Sequence, residues 1–263
     1  MSALLELHSL SKAFAGIRAV DGVSFAIKPG SMTGLIGPNG SGKSTTIDCI
    51  SGFQTPDGGR VVLAGRDITG ARPEQIARAG VMRTFQTARV YEQLSLRDNL
   101  TIAAQQFDEA GWFDELLRTR RYRKAVEAAE ARAHELIDLV GLARYDALEA
   151  GILSYGQKKL LALAAALMSK PKLVVLDEPV AGVNPTRIRE VEDVLRALNA
   201  AGETFLIVEH NVEFITNLCG NVIVLDQGRK LAEGPAAVIH KDARVLEAYL
   251  GIAPETEAER VPV

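Results

Sequence analysis

Eight consecutive residues limit this chain more than any other feature. Gly37-Pro38-Asn39-Gly40-Ser41-Gly42-Lys43-Ser44 fits the spacing G-x-x-x-x-G-K-[ST]. The apolar run Met32 to Ile36 precedes it as a strand, and Lys43 to Ile50 follows with helical character. Glycines at 37, 40 and 42 let backbone N–H groups turn inward, and the helix N-terminus adds partial positive charge. A strand, loop and helix of this composition cradle a phosphate. Lys43 is expected to reach the β- and γ-phosphates of a nucleotide and Ser44 to offer its hydroxyl to Mg²⁺. Thr45 adds a hydroxyl beside the α-phosphate.

The second half supplies the matching chemistry. Leu173 to Leu176 is a compact apolar strand that runs into Asp177 and Glu178. Successive residues at a strand end point in different directions, so one carboxylate can face a metal and the other a water. Asp177 is the expected partner of Mg²⁺, and Glu178 the group that polarises the attacking water. Thr204 to Val208 reads as another buried strand, with Glu209 and His210 at its end. Between them Ile188, Val191, Leu195 and Leu198 mark an amphipathic helix, giving a β-α-β succession that requires a parallel sheet. In such sheets ligands sit beyond the carboxyl ends of the strands, where Gly37, Asp177 and His210 would emerge together. His8, His134 and His240 lack that placement and read as structural.

Antiparallel strands are expected before the loop, at Leu4 to Leu7 and Val23 to Ile27, with Asp21-Gly22 and Pro29-Gly30 as hairpin and turn signals. Further strands are expected at Arg60 to Leu63, Val81 to Phe85 and Val222 to Leu225, and a short terminal helix at Arg244 to Leu250. From about Thr87 to Ser154 helix periodicity takes over: Val126, Ala129, Ala133, Ile137 and Val140 line one face of a helix ending near Gly141. The 30 basic and 33 acidic residues give a formal net charge of −3, which argues against nucleic acid as the main partner. Arg118, Arg120, Arg121, Arg123 and Lys124 read first as a solvated helix face and, as the sharper alternative, as a contact for anionic lipid headgroups. Cys49 and Cys219 lie far apart in a chain without a charged-then-apolar leader, so the cytosol is expected and a disulfide framework is not. The longest apolar stretch, Leu160 to Met168, is about half of the ~20 residues that cross a bilayer.

Leu153-Ser154-Tyr155-Gly156-Gln157 precedes a long apolar helix, and Ser-x-x-Gln is a capping-box pattern that starts helices. With the phosphate loop, Gln86 after a strand, Asp177-Glu178 and His210 in this order, the segment closely resembles the signature of ATP-binding cassette (ABC) ATPases. The resemblance covers about Leu4 to Gly251. It implies an α/β P-loop NTPase fold of the ABC ATPase type, with an antiparallel β subdomain and an inserted α-helical subdomain. The expected organisation is one domain over 1–251, its core at 1–86 and 166–251, its helical subdomain at 87–165, and a disordered tail at 252–263.

The resemblance also implies a head-to-tail pair of cassettes with ATP and Mg²⁺ between them. The loop residues Gly37, Pro38, Asn39, Gly40, Ser41, Gly42, Lys43, Ser44 and Thr45 would hold the phosphates, and Ser154, Gly156 and Gln157 would meet the γ-phosphate bound by the other chain. Gln86 would touch Mg²⁺ beside the groove where a membrane partner docks, His210 would contact γ-phosphate and water, and Phe14 would stack on adenine. Tyr155 stands where many relatives have glycine, reducing backbone freedom, and Asn184 where aspartate is common. Arg83-Thr84-Phe85-Gln86, Ser-Tyr-Gly-Gln, Ala181 to Pro185, Gly111-Trp112-Phe113 and Ala248 to Gly251 together resemble the LivG-type subunits of branched-chain amino acid importers. The implied partners are a second similar cassette, two integral membrane permease subunits and a periplasmic or surface solute-binding protein. The implied place is the cytoplasmic face of the inner membrane. An ATPase of a urea, amide or lipopolysaccharide transporter is the alternative from the same fold, and a non-transport cassette ATPase the alternative from another class.

Overall fold

The computed structural model describes residues 2–84, 89–105 and 119–250. Strands β1 (Leu5–Phe14) and β2 (Ile17–Ile27) form an antiparallel hairpin closed at Ala15-Gly16, both at positive φ. Asp21-Gly22 is therefore not the hairpin turn. It lies inside β2, where Gly22 at φ 71° accompanies shifts in register between the strands, so the Asp-Gly pair makes a bulge. Strand β3 (Met32–Ile36) leads through the glycine loop into α1 (Lys43–Ser51). Strands β4 (Gly58–Leu63) and β5 (Arg66–Asp67) return to the hairpin and complete a sheet of order β2-β1-β4-β5. β1 runs on past its apolar stretch at the C-terminal end and β2 begins well before its own, because the mixed residues between them pair across the hairpin and, at His8 and Ser11, with β4.

Helix α2 (Pro73–Ala79) and β6 (Val81–Thr84) precede three helices, α3 (Leu96–Gln105), α4 (Arg120–Leu139) and α5 (Tyr155–Leu167). The chain then alternates: β7 (Leu173–Asp177), α6 (Ile188–Ala200), β8 (Phe205–Val208), α7 (Val212–Leu218), β9 (Asn221–Asp226), β10 (Arg229–Gly234), α8 (Ala236–Ile239) and α9 (Ala243–Leu250). The second sheet has the order β10-β9-β3-β8-β7-β6, parallel except for β10.

The period of two along its strands divides the interior. Leu35, Leu173, Val175, Leu206, Val208 and Ile223 face the hairpin sheet and α1, whereas Ile36, Val174, Leu176, Phe205, Ile207 and Val222 face the helices. These residues are buried on both faces, which explains strands that are apolar throughout rather than alternating. The helical layer shares the second cluster: Leu96, Leu100, Ala133, Leu136 and Ile137 pack in one contiguous group with Leu160, Leu163 and Val174. The expected division at 165 falls inside α5, whose residues join the helical layer to the sheet. Arg120, Arg121, Arg123 and Lys124 lie on the first turns of α4 and are exposed, with Tyr122 among them half-buried, while Arg118 lies outside the described residues. Both cysteines are buried free thiols, and burial pushes their pKa up to about 11 at Cys49 and about 12 at Cys219, which disfavours the thiolate.

Candidate active site

Register alone brings the site together. Leu35 pairs with Val208, and Val208 with Asp177, so the strand leading to His210 lies between the strand carrying the glycine loop and the one carrying the two carboxylates. Neighbouring strands are ~4.8 Å apart, which puts all three within reach of one triphosphate.

The loop itself is shaped by close backbone approach. A Cβ at Gly37 would stand 2.1 Å from the Leu225 carbonyl oxygen at the end of β9, and one at Gly42 would stand 2.3 Å from that of Ala19 in β2. Neither position admits a side chain. Gly40, by contrast, faces open space, as a loop that receives a ligand must. Lys43 is buried and folds back into the cradle, where Nζ donates to the carbonyls of Gly37 at 2.7 Å and Pro38 at 2.9 Å. Burial pushes its amine below the ordinary value, and the charge of Glu178 opposes that shift. Ser41 Oγ is buried with no hydrogen-bond partner among the described residues. A cation turned into its own loop, an orphaned hydroxyl and an open glycine fit a phosphate. Ser44 is exposed and Thr45 half-buried at the start of α1.

Asp177 and Glu178 do diverge. Asp177 Oδ2 accepts from Arg83 Nη2 at 2.9 Å, whereas Glu178 Oε1 lies 2.9 Å from His210 Nε2. Glu178 adopts φ 50°, a left-handed conformation uncommon for a non-glycine residue, and it is held there from several directions. Its N–H donates to the Val208 carbonyl at 2.9 Å, and Lys159 Nζ on α5 donates to its carbonyl at 2.6 Å. Among the described residues no cluster of three or more His, Cys, Asp or Glu could hold a metal by itself. Mg²⁺ suits such a site, because it is commonly bound through one or two carboxylates plus substrate phosphates. Asp177 and Ser44 are the described residues that would hold it.

Ser154 caps α5 as expected. Its Oγ accepts from Gln157 N–H at 3.4 Å, and Gln157 Oε1 accepts from Ser154 N–H at 2.9 Å. Tyr155 is the first helical residue and does not adopt a positive φ, so its backbone conformation does not call for glycine. Its ring lies over Gly182, and Gly156 packs near Val183, so these signature residues contact the segment after Glu178. Asn184 caps the turn at 185–187 through its amide oxygen, which accepts from Thr186 N–H at 3.1 Å and Oγ1 at 2.9 Å. Phe14 is exposed at the end of β1, with Lys12 Nζ 5.4 Å from its ring centre. Gln86, Trp112 and the tail 252–263 lie outside the described residues.

Three residues beside the motifs were not singled out from sequence for a role in the site: Arg83, Lys159 and Glu209. Glu209 is 3% exposed, and its carboxylate accepts from Val180 N–H at 2.9 Å and His210 N–H at 3.0 Å. It ties the loop after Glu178 to the histidine strand. The alternation along β8 is a signal that could have found it, since Glu209 continues the inward face of Phe205 and Ile207. Glu209→Ala would leave the buried Val180 N–H without its acceptor and free the part-buried His210 N–H, a loss of about 1–3 kcal/mol of stability. Thermal unfolding should show that loss, with Glu209→Gln retaining part of it.

A buried lysine inside a glycine loop, faced across a parallel sheet edge by an acidic pair, defines a phosphate-loop nucleotide-binding protein. Residues 20–181 match the family model described as ABC transporter. The chain is 36% identical over 251 residues to the high-affinity branched-chain amino acid transport ATP-binding protein LivG of Salmonella typhimurium, covering 95% of this chain and 98% of that one. It is 36% identical over 256 residues to the probable branched-chain amino acid transport ATP-binding protein LivG of Archaeoglobus fulgidus, covering 97% and 98%. Among solved structures, the ADP conformation of an ATP-binding cassette of an ABC transporter matches with a TM-score of 0.83 and 34% identity, covering 96% of this chain and all of that one. The chain belongs to the ABC transporter ATP-binding family.

Proposed function

We propose that this chain hydrolyses ATP to energise import through a membrane ABC transporter, with branched-chain or similar hydrophobic amino acids as cargo. The observation that carries the reading is the convergence of Lys43, Asp177, Glu178 and His210 on one edge of the parallel sheet. The names of its relatives, similar along nearly the whole chain, support the cargo.

In the proposed reaction the loop amides and Lys43 hold the β- and γ-phosphates, and the N-terminus of α1 adds favourable field. Mg²⁺, when bound beside Asp177 and Ser44, neutralises charge on the phosphate oxygens. Glu178 orients a water and accepts its proton as the water oxygen bonds to the γ-phosphorus. The bond from that phosphorus to the bridging oxygen breaks, and ADP leaves with the electron pair. His210, 2.9 Å from Glu178, fixes that carboxylate and faces the same phosphate. Phe14 offers an exposed ring to the adenine, and Gln86 belongs to the Mg²⁺ side of the site in this reading.

No described helix is long and apolar enough to cross a membrane, so the translocation path is assigned to separate permease subunits. The proposal therefore includes two permeases, a second cassette, an extracytoplasmic binding protein and a position at the cytoplasmic face of the membrane. A groove of about 430 Å³ between β6 and helices α3 and α5, bordered by Tyr91, Ile102 and Ala162, is the surface assigned to a permease segment. The division into a core at 1–86 and 166–251 with a helical subdomain at 87–165 is part of the same reading. Affinity purification from detergent-solubilised membranes should recover integral membrane polypeptides with the chain. Recovery with ribosomes or DNA instead would overturn it.

Ser154, exposed at the start of α5, is assigned to the nucleotide held by the other chain. Chains carrying Lys43→Ala and chains carrying Ser154→Ala should each hydrolyse ATP poorly alone. Mixed together they should regain turnover, because one of the two composite sites then has both parts intact. Absence of complementation would mean that the signature acts within its own chain.

A further inference from the structure

Arg83 reaches out of β6 to two other elements of the site. Its Nη2 donates to Asp177 Oδ2 at 2.9 Å on β7, and its Nη1 donates to Asp48 Oδ1 at 2.5 Å and Ser51 Oγ at 3.2 Å on α1. The side chain is 10% exposed, and the Phe53 ring lies 5.6 Å from the guanidinium carbon. The planar guanidinium thus spans the helix that begins with Lys43 and the strand that ends in Asp177. β6 pairs with β7 in parallel register, Arg83 opposite Val175, so the side chain runs forward along the sheet to the strand end.

We infer that Arg83 is a positioning residue that fixes the Asp177 carboxylate relative to the phosphate loop and thereby sets the affinity of the nucleotide site for its divalent cation. The inference rests on the reading of Asp177 as the carboxylate on the cation side. Engaging Oδ2 leaves Oδ1 for that side and removes the rotation that a carboxylate at a strand end would otherwise have. An arginine can make both attachments because its nitrogens diverge from one rigid plane. A lysine has one nitrogen and cannot hold Asp48 and Asp177 in the same geometry. Outer partners of metal-binding carboxylates typically tune metal affinity by about 10–100-fold. Arg83 is in that position, with the added constraint that its second anchor is the helix of the phosphate loop.

The test is Mn²⁺ binding to the full chain in the presence of a non-hydrolysable ATP analogue, followed by the loss of the free-ion paramagnetic resonance signal. Binding of the same analogue in EDTA is measured in parallel. Arg83→Lys should raise the Mn²⁺ concentration for half-saturation by about 10-fold or more and leave metal-free analogue binding near wild type. Asp48→Asn, which loosens the anchor on α1 without touching Asp177, should move the Mn²⁺ curve in the same direction by a smaller factor. An unchanged Mn²⁺ curve in both variants overturns the inference. So does an equal loss of metal-free binding, which marks a general structural role. Failure of the wild-type chain to bind the analogue both in EDTA and in excess Mg²⁺ overturns the nucleotide reading, and this inference with it.

Discussion

Glu178→Gln should lower steady-state phosphate release from ATP by at least ~100-fold, the lower end of what a positioned general base contributes, while nucleotide binding stays near wild type. The reason is local. Lys43 Nζ is held by the carbonyls of Gly37 and Pro38, and the loop leads into the α1 N-terminus, so an amide of the same size at 178 leaves that cradle in place and takes away one neighbouring charge. What it removes is the proton acceptor next to His210 Nε2. The backbone at Glu178, held in its left-handed conformation through the Val208 carbonyl and Lys159, needs no carboxylate to persist. Phosphate release by malachite green and binding of a fluorescent nucleotide, measured on the same preparation, check both halves. Normal turnover in the variant would refute the role of Glu178.

Lys43→Ala should have the opposite profile, weakening ATP binding itself. In the structure Nζ satisfies two loop carbonyls, and a bound triphosphate supplies it with charged oxygens in their place. A hydrogen bond to a charged group contributes about 1.5–3 kcal/mol, so affinity should fall by at least about 10-fold. The loss should be larger for ATP than for AMP, because AMP has no β- or γ-phosphate for the lysine to reach. Equal loss for both nucleotides, or none, in a calorimetric titration would contradict the assignment. The Glu178 and Lys43 variants thus separate chemistry from binding at sites two strands apart.

Much of this site can be read along the chain because each of its parts is local. A glycine spacing, a strand ending in Asp-Glu and a histidine after a β-branched run are short patterns, and parallel register assembles them without further information. The capping box of Ser154 and Gln157 is equally local. Asp21-Gly22 shows where local reading misleads: the same dipeptide serves a hairpin turn or a bulge, and pairing with β1 on both sides of it decided for the bulge. Tyr155 and Asn184, departures from the wider family's pattern, each meet a neighbour that the sequence does not mark: Gly182 under the ring and Thr186 beside the amide. Arg83, Lys159 and Glu209 are harder still, since their partners Asp177, Glu178 and Val180 lie 94, 19 and 29 positions away. A charged side chain beside a motif reads as solvated until the fold supplies its counterpart.

The proposed function has ATP bound between two cassettes, a second copy of the chain or a similar subunit, and hydrolysed by the residues at these strand ends. Sedimentation of the Glu178→Gln chain in Mg²⁺-ATP and in Mg²⁺-ADP tests it most directly. The prediction is a dimer in ATP, stabilised because hydrolysis cannot reopen it, and a monomer in ADP. A monomer in both nucleotides, with ATP demonstrably bound, would contradict the account.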